Sequence, residues 1–186
     1  MSSKKTETIE VVAPTAVTMP PADAKELVMK ILEADEMKEK TNAEKICAGI
    51  KAVGLAAKDL HYRAKGEAFY SEHLLADLGW QIEKLTDDFI EVYYLGDKGW
   101  NPPLMGQIYG IANTWVNNAT GGMSADSEEA STEYWARRLL RVCEDLIENV
   151  EIAKDVLTKK AGTQAVLDEI SKQVLQVAGL LKRNLK

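Results

Sequence analysis

Four stretches of this chain repeat apolar residues every three or four positions, and that period constrains the fold more than any other feature. Ile46, Ile50, Val53, Ala57 and Leu60 make one row, and Leu75, Leu78, Ile82, Leu85, Phe89 and Val92 a second. Trp135, Leu139, Val142, Cys143, Leu146, Val150, Ala153 and Leu157 make a third, and Val166, Leu167, Ile170, Val174, Val177, Ala178, Leu181 and Leu185 a fourth. At 3.6 residues per turn each row becomes one apolar face of a helix, and such a face must be buried against another element. The expected fold is all-α, a bundle of four long helices.

The punctuation supports this division. Thr41-Asn-Ala-Glu44 and Asp126-Ser-Glu-Glu129 have capping-box spacing and would open the first and third helices. The second runs to about Leu95 and stops at Gly96, while Gly162 and Thr163 break the chain and cap the fourth. Residues 97–125 form a long connection in which Leu104, Ile108, Ile111, Ala112 and Trp115 have helical spacing. A short helix is expected there, covering apolar surface and ended by Gly121 and Gly122.

Three regions follow. Residues 1–21 hold three prolines and no helical period, and are expected to be a flexible arm. Residues 22–40 carry Leu27, Val28, Ile31 and Leu32 on an additional amphipathic helix, and 41–186 form the bundle.

At 186 residues the chain can bury a core without disulfides or structural zinc. Its formal charge of −6 and pI near 5.1 argue against the cationic surface that nucleic acid requires, and Lys4 and Lys5 in the arm are balanced by Glu7 and Glu10. DNA is therefore an unfavoured partner. No apolar run approaches the roughly 20 residues of a membrane span, and the N-terminus has no apolar leader segment, so a cytoplasmic protein is expected. Cys47 and Cys143 lie far apart on apolar faces and read as buried, reduced thiols.

The chemistry concentrates between Leu60 and Asp77, which hold both histidines of the chain. His61 shares the inward stripe of the first long helix; His73 and Asp77 lie one turn apart on the second. Gly66 and Phe69 would supply a tight corner and an apolar plug between them. Two imidazoles and a carboxylate converging across that corner suit Fe(II), Mn(II) or Zn(II). At roughly 100° per residue, His73, Asp77, Lys84, Asp88 and Glu91 fall within about 60° of one another. That stripe is either a solvated face with pairs such as Lys84 and Asp88 or one side of a metal-lined interface. The E-x-x-H pattern of di-iron sites inside a single bundle does not occur.

Leu60, His61, Tyr62, Gly66, Phe69, His73 and Asp77 stand at the spacings of the signature of the Dps family of mini-ferritins, and the chain resembles that family from about Asn42 to Lys186. The resemblance implies a ferritin-like four-helix bundle with a short helix in its central connection. It also implies a homo-oligomer, a hollow dodecamer, that oxidises Fe(II) with peroxide or dioxygen at intersubunit sites and stores the ferric product. His61, His73 and Asp77 of one subunit would bind metal with Asp88 of its mate. The family's second carboxylate position falls on Val92. Glu91 is the nearest substitute, alone or paired with Asp87, and Lys84 adds positive charge to the stripe. An alternative therefore stands beside the ferroxidase: the same bundle with a degenerate centre, serving as a non-catalytic structural or binding assembly.

Overall fold

The computed structural model describes residues 21–64, 69–119, 131–157 and 159–185, with side chains at 21–23, 69, 70 and 72 left out. The arm up to Pro20, the Gly66 corner, Gly121, Gly122 and the 126–129 box lie outside the described residues.

The first helix, α1 (Pro21–Arg63), is continuous over 43 residues. The Thr41–Glu44 box does not open a new helix. Thr41 Oγ1 instead donates to the Met37 carbonyl at 2.9 Å and Asn42 Nδ2 to the Lys38 carbonyl at 2.8 Å, so both side chains bond back four residues within an unbroken helix. By compactness the chain divides into two units, one up to Asp35 and one from Glu36 to Lys186. In the first, Leu27, Val28, Ile31 and Leu32 are each about half exposed, between 47 and 56%, and Lys30 pairs with Glu26 along the helix.

In the second unit the apolar face of α1 is buried: Ile46, Ile50, Val53, Ala57 and Leu60 are fully inaccessible. The second arm of the bundle changes its winding as it runs. It starts as α2 (Phe69–Gln81), tightens into a 3₁₀ turn at Ile82–Lys84, returns to α3 (Leu85–Phe89) and widens into a π-helix at Ile90–Lys98. Right-handed helical backbone at Gln81, Lys84, Phe89 and Ile90 joins the pieces end to end. Gly96 does not stop it. The stop is Gly99, whose φ of 64° is the left-handed geometry glycine adopts without strain, and the Trp100 N–H closes back on the Tyr94 carbonyl at 2.7 Å.

After Pro102 and Pro103, the connection holds α4 (Met105–Asn118), the expected short helix, which buries Ile108, Ala112 and Val116. The third long helix, α5 (Thr132–Val156), is capped by Ser131, whose hydroxyl accepts the Tyr134 N–H at 3.2 Å. The fourth, α6 (Ala161–Asn184), starts at Lys160 without a side-chain cap. Gly162 and Thr163 thus lie inside its first turn, and the buried Thr163 hydroxyl donates to the Asp97 carboxylate, tying α6 to the π-helical end of the second arm. Helix α6 lies against both α5 and the second arm. All of this makes an all-α, ferritin-like four-helix bundle with a short helix in its central connection and a helical N-terminal extension. No helix among the described residues is long and apolar enough to cross a membrane.

Candidate metal centre

The site forms where α1 and α2 pack tightly. A Cβ added to Gly79 would sit 2.9 Å from the Ala57 side chain, so only a glycine there lets the two backbones approach this closely. Arg138, buried on α5, steadies the same end of α1 by donating to Asp59 at 2.8 Å and to the Val116 carbonyl at 3.1 Å. Arg63 also lies over the Trp135 ring, 4.5 Å from its centre.

On this seam His61 and His73 meet, with ring centres 3.6 Å apart and planes tilted by 31°. Asp77 Oδ1 stands 3.1 Å from His61 Nδ1. That contact falls short of hydrogen-bond alignment, for His61 Nδ1 is buried without a hydrogen-bonded partner. Two donors each about 2.1 Å from a shared ion and set near a right angle or the tetrahedral angle stand about 3.0–3.4 Å apart. Nitrogen and oxygen are therefore at the spacing of two ligands. Trp80 closes one side edge-on, 6.4 Å from His61, and is half exposed; Tyr62, edge-on to His61 at 5.3 Å, is largely exposed.

The carboxylates expected from a partner copy lie on the surface of the second arm. Asp88 and Glu91 are exposed, as are Lys84 and Asp87. Winding along this arm is not uniform: the 3₁₀ turn at 82–84 advances about 120° per residue and the π-helix from Ile90 advances less than an α-helix. Val92 is half-buried, with its Cγ1 3.2 Å from where a Gly162 Cβ would lie, so it packs on the start of α6. Among the described residues no three His, Cys, Asp or Glu side chains surround one point as metal ligands. With centres only 3.6 Å apart and planes 31° apart the two imidazoles partly overlap, and one ring would have to turn for both to hold the same ion.

A second polar cluster on this seam escaped the sequence reading. Glu83 receives Lys58 at 2.9 Å, Lys51 at 3.3 Å and the Tyr109 hydroxyl at 3.0 Å. Burial pushes its carboxyl up, but these hydrogen bonds and the lysine charges outweigh burial and hold it below the ordinary 4.5. Gly54 makes room, since a Cβ there would meet Glu83 Oε2 at 2.9 Å. One signal was present: Lys51, Gly54, Lys58 and His61 follow helical spacing along one side of α1.

The cysteines are free and buried. Burial pushes the Cys47 thiol up to about 12 and the Cys143 thiol higher still, so neither supplies a thiolate at neutral pH.

The geometry and topology define a ferritin-like bundle carrying a histidine pair on the outer seam of its first two helices. Comparison with solved structures gives the X-ray structure of Dps from Thermosynechococcus elongatus, at a TM-score of 0.65 and 16% identity, covering 82% of this chain and 93% of that one. At that identity the likeness establishes a Dps-like fold. No protein-family model matches the chain, and no curated protein matches its sequence.

Proposed function

We propose that this protein is a Dps-like mini-ferritin that binds Fe(II) between copies of itself, oxidises it with peroxide or dioxygen and retains the ferric product. The carrying observation is the juxtaposition of His61, His73 and Asp77 on one seam of a Dps-like bundle. Imidazole nitrogens and a carboxylate suit Fe(II), and also Mn(II) or Zn(II). Asp88 and Glu91, exposed on the second arm, would complete the shell from a partner copy of a homo-oligomer, by family likeness a dodecamer. Iron is the substrate and carries the redox change. The chain's part is to hold the ion, turn the stacked rings onto it and balance its charge.

Anaerobic Fe(II) titration followed by peroxide tests this reading. Saturable Fe(II) binding and iron-dependent absorbance growth are expected, both lost in His61→Ala/His73→Ala. Binding no stronger than in that double variant would reject it.

Two observations favour the second reading, a Dps-like assembly with a degenerate, non-catalytic centre: Val92 packs on α6 at the family's second carboxylate position, and the imidazoles lie over one another with planes tilted by 31°. This reading predicts assembly in solution without iron oxidation.

A further inference from the structure

Beside the histidine pair a cleft of about 610 Å³ opens between α1 and the second arm. Lys51 and Lys58 line its α1 side, and Trp80, Glu83, Lys84 and Asp77 line the other. Its inner end is short of acceptors. Lys51 is only 6% exposed, and an ammonium carries three donors, yet its one hydrogen bond among the described residues goes to Glu83, at a long 3.3 Å. Glu83 is shared with Lys58 and fixed by Tyr109 and by its seat on Gly54. One carboxylate therefore faces two buried or half-buried ammonium groups. Lys84, at the rim, has no ion-pair partner among the described residues. A buried cation with spare donors facing a cavity is stabilised by an oxygen-rich anion that fills them.

The cleft also touches the candidate metal centre, because Asp77 belongs to both. Its lining holds three lysines against Asp77, Glu83 and Asp87, a balanced set. A divalent ion at Asp77 would turn that balance into an excess of two positive charges.

We propose that this cleft binds a small oxyanion of the phosphate type, and that divalent metal at His61, His73 and Asp77 tightens its hold. The coupling rests on the metal-binding reading above; the anion site does not. Calorimetric titration of the full chain with inorganic phosphate at constant ionic strength tests both, first without metal and then with Mn(II) loaded and the excess removed. Phosphate is expected to bind in both states, about tenfold tighter with metal. Lys51→Met and Lys58→Gln should each weaken it about tenfold; the more exposed Lys58 keeps the test usable if Lys51→Met does not fold. His61→Ala/His73→Ala should abolish the metal effect and spare metal-free binding. Absence of phosphate binding in both states, or binding indifferent to both lysine substitutions, would overturn the site. Mn(II) bound with phosphate affinity unchanged would overturn the coupling alone. Phosphate bound by a protein that takes up no Mn(II) would leave the anion site standing and remove the metal reading instead.

Discussion

Two polar clusters lie within a few turns of each other on α1, and they are built to opposite ends. Around Glu83, every carboxylate contact is a charge-assisted or hydroxyl hydrogen bond, and a glycine has made room for the acid. Around His61, the nearest oxygen is close but misaligned, and the second imidazole lies against the ring face. A carboxylate that accepts three hydrogen bonds from two elements holds helices together; a ring nitrogen and a carboxylate that stand close without aligning leave room for a ligand. The first is a structural joint with an anion site at its edge, and the second is where an ion belongs.

Several substitutions would break or sharpen this contrast. Glu83→Ala leaves the ammonium of Lys51 buried without its carboxylate, and should cost about 3 kcal/mol in urea unfolding. Gly54→Ala gains about 1 kcal/mol of helix propensity but drives a methyl into the Glu83 side chain, for a net loss of about 1–2 kcal/mol on the same measurement. His61→Ala/His73→Ala should change stability by less than about 1 kcal/mol while removing metal binding. A larger stability loss with metal binding intact would mean that the roles of the clusters are exchanged.

Acid gives the smallest signal. The folded-state pKa of Glu83 is depressed below 4.5, so its stabilisation is complete above that value and is lost as pH falls through the lower folded value. Wild type should therefore exceed Glu83→Gln in urea midpoint at pH 7, and the gap should close as the solution is acidified below pH 4.5. A gap independent of pH would show that the carboxylate charge contributes nothing.

The four helical rows were legible because burial follows the 3.6-residue period, and Ile46, Ile50, Val53, Ala57 and Leu60 are inaccessible in the register expected. Boundaries were less legible. Thr41 and Glu44 have the spacing of a cap, but the same side-chain chemistry serves inside a helix when the hydroxyl bonds back to Met37, and spacing alone does not separate the two. The pairing of His61 with His73 and Asp77 was readable from spacing, because close packing at Gly79 aligns α1 with α2 over that stretch. Asp88 and Glu91 were harder to place because the winding changes at Ile82 and again at Ile90, shifts that a uniform helix does not contain. Nothing near Lys51 in the sequence signals its burial, since the carboxylate it pairs with lies 32 residues away.

On the metal-binding reading, the imidazoles of His61 and His73 turn from lying over each other to holding one ion with acidic groups of a second copy. The most direct measurement is anomalous diffraction at the iron edge from crystals grown anaerobically with Fe(II). A peak is expected about 2.1 Å from a nitrogen of each ring, with Asp77 on one side and Asp88 or Glu91 of a neighbouring copy on the other. Rings still stacked in the iron-soaked crystal, with iron absent or bound elsewhere, would contradict it.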